Sequence, residues 1–224
     1  MKPAAIIFDF DGVIADSDVV SARAFSQALT AVGLPTTPDE AADRYTGLNR
    51  ADTLEAIAAH WGERTPPDIA QRLNDHMTHA FSLGIEPIMG VIDFIGTVSH
   101  LPLAIGSSST SAYIRGLLGQ FGLEHHFGPH VYSGREHVTR GKPHPDIYLH
   151  AASVLGVDPR EALIIEDSPV GARAAVAAGA QVVGLCAGGH CRPGHDARLR
   201  EVGVHHIASS YGDVARLLSF GVPD

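Results

Sequence analysis

Asp9 and Asp11, one residue apart and followed by Gly12, make the sharpest chemical demand in the chain. They end a short apolar run, Ala4 to Phe8, whose length and bulk fit a buried strand. Two carboxylates at the end of a hydrophobic strand carry a desolvation penalty unless positive charge offsets it. A hard cation such as Mg2+ suits the pair, and Gly12 allows a sharp turn beneath a bound anion. Read by itself, Asp11-Gly12 is equally a surface turn. Three other places weigh against that reading. Ser107 follows the apolar run Leu101 to Ile105, Lys142 stands in Gly141-Lys142-Pro143, and Glu166-Asp167 follow Ala162 to Ile165. Lysine occurs only at Lys2 and Lys142, every other basic side chain being arginine, which marks residue 142 as needing a compact point charge. Singly, Ser107 reads as a helix cap, Lys142 as a loop lysine, and Glu166-Asp167 as partners of a helix dipole. Together, carboxylates with a metal, a hydroxyl and an ammonium make a site for a phosphoryl group.

These residues lie far apart in sequence, so the elements must gather them. Ser17 through Val32 predicts a helix closed by Gly33, and Thr37-Pro38-Asp39-Glu40 is a capping box that starts a second. Asp52–Trp61 and Pro67–Phe81 continue the helical pattern, so residues 16–84 form a helical insertion directly after the first strand. From Pro87 helices and strands alternate. Helices are expected at Val91–Ser99, Thr110–Gly119, Pro145–Leu155, Pro169–Ala178 and Ala197–Val202, with a last one ending the chain. Strands are expected at Leu101–Ile105, His130–Tyr132, Ala162–Ile165, Gln181–Leu185 and His206–Ala208. Ser168 caps the helix after Glu166-Asp167, with Pro169 in its first position and Gly179 closing it. Alternation of this kind predicts an α/β fold, a parallel sheet with right-handed crossovers. The strand ends then share one edge, where such sheets bind ligands.

At 224 residues the chain is long enough for one large domain or a core with a smaller module. Its net charge of −9 argues against an extended nucleic-acid face. No apolar run approaches a membrane span, and the N-terminal run breaks at Asp9, too early for a signal-peptide core. A cytoplasmic protein is expected, with no nucleic-acid or membrane partner, as a monomer or weak homodimer. Cys186, His190, Cys191 and His195 invite a zinc reading, but the spacing departs from the usual structural patterns and the segment reads as a Gly-rich loop.

The set Asp9-Phe10-Asp11-Gly12, Ser107, Lys142-Pro143 and Glu166-Asp167 resembles the four motifs of the haloacid dehalogenase superfamily. The likeness is to its phosphatase and β-phosphoglucomutase-like branch and covers essentially the whole chain. It implies a Rossmann-like core, residues 1–15 and 85–224, and a helical cap, residues 16–84, hinged near Ile14–Asp16 and Gly84–Pro87. By the same resemblance Asp9 is the nucleophile that takes the phosphoryl group, and Asp11 is the acid and then the base. Asp9, the Asp11 carbonyl and Asp167 would hold Mg2+, with Glu166 a ligand or a supporting partner. Ser107 and Lys142 would bind phosphoryl oxygens, with Ser108 and Ser109 beside them.

Variants of the family chemistry leave marks in such sequences. Dehalogenases lack the second aspartate, and Asp11 is present. Phosphonate hydrolases use a cap lysine, and this insertion has none. The stretch Thr46-Gly47-Leu48-Asn49-Arg50 resembles the mutase pattern at Gly47 and Arg50. The mutase's cap His and Lys are replaced by Ser21 and Thr46, which favours water as acceptor. The resemblance therefore implies a Mg2+-dependent phosphatase of a small phosphorylated metabolite, such as a sugar phosphate or a phosphoglycolate-like acid, with Gly47 and Arg50 as substrate contacts. A mutase, or a silent phospho-ligand binding module, is the alternative.

Overall fold

A computed structural model describes residues 3–45 and 50–220. The chain divides into two compact units, one running to Ala15 and resuming at Pro87, the other Asp16–Glu86. The first unit opens with β1 (Ala5–Phe8), every residue of which is buried. Helices on both faces of a parallel sheet leave neither face wet, hence a continuous apolar run rather than alternation. Beyond β1 the chain turns tightly. The Phe10 carbonyl accepts from the Ile14 and Ala15 N–H groups at 2.8 and 3.0 Å, and Gly12 N–H donates to the Ala15 carbonyl at 2.8 Å. Gly12 sits at φ +76°, a left-handed conformation open to glycine at little strain. The chain leaves this unit and re-enters it side by side: Ala15 bridges Pro87 antiparallel, and Ile88 N–H donates to the Ile14 carbonyl at 2.8 Å.

The Asp16–Glu86 unit continues that neck, with Asp16 N–H on the Glu86 carbonyl at 2.9 Å. It holds α1 (Ser17–Ala31), α2 (Pro38–Tyr45), α3 (Arg50–Trp61) and α4 (Ile69–Ser82), and no strand among its described residues. The capping box forms as read: Glu40 N–H donates to Thr37 Oγ1 at 3.2 Å, and Thr37 N–H to Glu40 Oε2 at 2.9 Å. Leu29, Leu34, Tyr45 and Ile57 pack the centre of this unit.

From Pro87 onward come α5 (Val91–Val98), β2 (Leu103–Ser107), α6 (Ser111–Phe121), α7 (Glu124–Phe127), β3 (Val131–Ser133) and α8 (Asp146–Leu155). They are followed by β4 (Ala162–Glu166), α9 (Pro169–Ala177), β5 (Gln181–Leu185), α10 (His195–Glu201), β6 (His206–Ala208) and α11 (Tyr211–Phe220). All six strands run parallel in the order β3-β2-β1-β4-β5-β6, so the winding reverses between β1 and β4. That is the place where a doubly wound sheet opens a crevice at its carboxyl edge. On one side of β1, Phe8 meets the Phe94 and Phe127 rings edge-on at 6.2 and 5.8 Å. Ile7, Ile147, Tyr148, Ile164, Ala172 and Leu199 belong to a second buried cluster.

Several bounds shift by one or two residues from the sequence reading, which also lacks α7, and two of the shifts bear on the site. β2 runs Leu103–Ser107 rather than Leu101–Ile105. Leu101 N–H instead closes the preceding turn on Val98, while Gly106 and Ser107 stay in the ladder opposite Tyr132 and Ser133. α10 starts at His195 rather than Ala197, behind Gly194 at φ +87°. No helix of the described residues is long and apolar enough to cross a membrane.

Candidate active site

The register of the central strands brings the polar ends together. Phe8 pairs with Ile105 on one side and Ile165 on the other. Asp9 therefore leaves the sheet beside the ends of both neighbours, and its N–H still donates to the Ile165 carbonyl at 2.9 Å. Lys142 arrives from the loop before α8. Its Nζ lies 2.6 Å from Asp9 Oδ1 and 2.7 Å from Glu166 Oε1, with the ammonium-bearing chain only 5% exposed. The Tyr148 ring lies 4.8 Å from the same ammonium.

Glu166 is fully buried and both its oxygens are taken by protein donors. Oε1 accepts from Lys142 and from the Tyr148 hydroxyl at 2.9 Å, and Oε2 from the Ser168 N–H and Oγ at 2.8 and 3.1 Å. A side chain held on four sides is a support for its neighbours rather than an open ligand. Asp167 contrasts with it. Its Oδ2 accepts from His190 Nε2 at 2.8 Å, but its buried Oδ1 has no hydrogen-bond partner. An orphaned carboxylate oxygen at such depth is expensive unless something positive meets it.

Carboxylate oxygens of Asp9, Glu166 and Asp167 lie within 4.8 Å of one another. With His190 neutral, three ionised carboxylates against one ammonium leave two negative charges uncompensated, which one divalent cation would cancel. Burial pushes the Asp9 carboxyl well above its ordinary value, and Glu166, Asp167 and Asp11 add to the shift while Lys142 opposes it. Burial likewise raises Asp167, against the pull of His190. For Lys142 burial pulls the other way, yet Asp9 and Glu166 outweigh it and hold the ammonium above the usual lysine value. Hard oxygen donors, an unpartnered Asp167 oxygen and an uncompensated charge fit a cation such as Mg2+.

Asp11 faces a different set. Its Oδ2 accepts from Ser109 Oγ at 2.6 Å and its Oδ1 from the Tyr113 hydroxyl at 3.3 Å. Ser107, 1% exposed, ends β2, and its Oγ accepts from Ser109 N–H at 3.0 Å. The cap position of α6 is Thr110, so Ser107 is not the helix cap that it resembles in isolation. Ser108 is exposed on the same loop. Arg50 opens α3, and Gly47 lies outside the described residues. Five contributors escape a motif-based reading: Tyr113, Tyr148, Ser168 in its second role, His190 and His195. His195 Nε2–H donates to the Asp167 carbonyl at 2.6 Å. Only His190 and His195 stood out beforehand, as members of the Cys/His loop.

Glycines mould the floor. A Cβ on Gly12 would overlap Asp167 Oδ2, and one on Gly171, in the first turn of α9, would overlap the Glu166 carboxylate.

A family model for haloacid dehalogenase-like hydrolases matches residues 6–185, most of the chain. The chain belongs to that family. Among curated relatives, this haloacid dehalogenase-like hydrolase is 31% identical over 206 residues to hexitol phosphatase A of Escherichia coli (strain K12), covering 90% of this chain and 89% of the relative. It is 29% identical over 189 residues to β-phosphoglucomutase of Bacillus subtilis (strain 168), covering 81% and 82%. Overall identity thus does not separate phosphatase from mutase. A family hydrolase from Deinococcus radiodurans R1, solved with bound phosphate and sodium, superposes with a TM-score of 0.86 at 31% identity, covering 100% of this chain and 99% of that one.

Proposed function

We propose that this hydrolase is a Mg2+-dependent phosphatase acting on a small phosphorylated metabolite, a sugar phosphate or phosphoglycolate-like acid, through an aspartyl-phosphate. The observation that carries the reading is the Asp9 carboxylate, ion-paired by one oxygen to Lys142, in a cluster with Asp167, whose Oδ1 has no hydrogen-bond partner. Asp9 attacks phosphorus, forming the Asp9–O–P bond as the bond to the metabolite oxygen breaks. Asp11, oriented by Ser109 and Tyr113, gives its proton to the leaving oxygen. It then takes a proton from the water that attacks the aspartyl-phosphate, which releases inorganic phosphate and restores Asp9. Ser107 and Lys142 hold the phosphoryl oxygens, with Ser108 and Ser109 in the same loop. Glu166 keeps Lys142 in place through their 2.7 Å contact. Mg2+, held by Asp9, the Asp11 carbonyl and Asp167, would supply the charge that stabilises the transferring phosphoryl group.

The helical segment, residues 16–84, acts in this reading as a cap on the core formed by residues 1–15 and 85–224. By their resemblance to the mutase pattern, Gly47 and Arg50 are assigned to the non-reacting end of the substrate. Ser21 and Thr46, where the mutase carries His and Lys, support transfer to water over return to a sugar. Hydrolysis of para-nitrophenyl phosphate with Mg2+, against Asp9→Asn, tests the enzyme reading; equal inertness of both proteins would favour a binding module. Incubation with β-glucose 1-phosphate tests the acceptor: free phosphate supports the phosphatase, and accumulating glucose 6-phosphate overturns it in favour of the mutase.

A further inference from the structure

The loop between β5 and α10 gathers a second set of ligand-type side chains that the phosphatase reading does not use. Sulfur atoms of Cys186 and Cys191 and a ring nitrogen of His195 lie within 4.8 Å of one another. Zinc bonds of about 2.3 Å to sulfur and about 2.0 Å to nitrogen give tetrahedral edges of roughly 3.5–3.8 Å, so closing the set takes about 1 Å of side-chain movement. Both thiols are free and only half-buried, hence reachable by a metal from solvent.

The histidine is prepared for such a role. His195 Nε2–H donates to the Asp167 carbonyl, which leaves Nδ1 as the metal-binding nitrogen, and zinc there would displace Arg198 Nη2, which donates to it at 3.0 Å. A backbone carbonyl on the far nitrogen is how metal-binding histidines are commonly oriented. His190 Nε2, which meets Asp167 Oδ2 at 2.8 Å, also lies 3.4 Å from Cys191 Sγ and borders the set. The linear spacing looks irregular because His190, next to Cys191 in sequence, does not belong to the set.

We propose that Cys186, Cys191 and His195 form a zinc site, separate from the carboxylate cluster, with the fourth position open to water. Binding exchanges the two thiol protons for one Zn2+, the protons passing to solvent, and nothing is oxidised or reduced. Thiolate and imidazole select this metal over Mg2+, which prefers oxygen. The site would fasten the loop whose histidines hold Asp167.

Cobalt titration of the reduced, metal-stripped full-length protein tests this without reference to activity. Expected are a thiolate-to-cobalt charge-transfer band and strong visible bands, saturating at one metal per chain, persisting in excess Mg2+ and abolished by Zn2+. Cys186→Ser with Cys191→Ser should lose the charge-transfer band, and its retention there would overturn the proposal. Alkylation of the unaltered protein covers the case of a variant that does not fold. Both thiols should be protected by Zn2+, and equal labelling with and without zinc would refute the site.

Discussion

Replacing Lys142 by Met keeps an unbranched apolar stem and removes the ammonium that touches Asp9 at 2.6 Å and Glu166 at 2.7 Å. The partners are buried, so little water replaces the lost contacts. Removing one member of a buried ion pair costs about 3–5 kcal/mol, because the other is left charged and dry. For a chain of this size that corresponds to a fall in Tm of roughly 6–20 °C. The loss depends on pH, and its sign is fixed. Burial already holds the Asp9 carboxyl above its unfolded value, and Lys142 is what limits the rise. A raised carboxyl binds its proton more tightly in the folded state, so its contribution to stability is most favourable in acid and falls as pH rises from the unfolded value through the folded one. Without Lys142 that folded value climbs further. The variant should therefore approach the unaltered protein in stability near pH 5 and lag most near pH 8. Urea unfolding at both pH values, without divalent metal, measures this. A loss below about 1 kcal/mol at pH 8, set against the 3–5 expected for a buried pair, would refute the charge balance drawn for this site. So would an equal loss at both pH values.

Gly171→Ala places a methyl where the Glu166 carboxylate lies, and overpacking of this kind costs about 1–3 kcal/mol. Thermal unfolding should show the loss, and Mg2+-dependent activity should fall with it as Glu166 lets go of Lys142. Ser109→Ala and Tyr113→Phe each remove a hydrogen bond to the Asp11 carboxylate, worth about 1.5–3 kcal/mol when the acceptor is charged. Steady-state assays should show kcat reduced by roughly one to two orders of magnitude, with the Mg2+ concentration for half-activity little changed. Asp167→Asn should do the reverse, raising that concentration sharply, and titration of activity against Mg2+ separates the two behaviours. Chelation of divalent metal should abolish turnover of every phosphomonoester tested, and Mg2+ should restore it.

Asp9, Asp11, Lys142 and Asp167 were legible because their chemistry contradicts their setting: charges closing apolar runs, and a lone interior lysine in an arginine-using chain. The parallel sheet followed from alternation, and the register then did the gathering. What stayed hidden depends on side chains reaching across the fold. Tyr148 looks like any apolar position of α8, yet its hydroxyl fixes Glu166. Tyr113 has no motif, and it reaches Asp11 because α6 starts just past β2. The two-residue slip in β2 has a similar origin, since nothing local tells whether Gly106 and Ser107 still belong to a ladder whose partners, Tyr132 and Ser133, lie far along the chain. The Cys186–His195 segment reads as a loop because linear spacing does not show that Cys186, Cys191 and His195 come within 4.8 Å of one another.

Where the chain departs at Ala15 it runs beside its own return at Pro87. An insertion entered and left through one hydrogen-bonded gate asks nothing of the sheet it interrupts. Such a junction lets the insertion be exchanged as a cassette: another module, or a short hairpin, could be spliced there while the β1 pairing keeps its register. A hairpin-bridged core should therefore fold by itself.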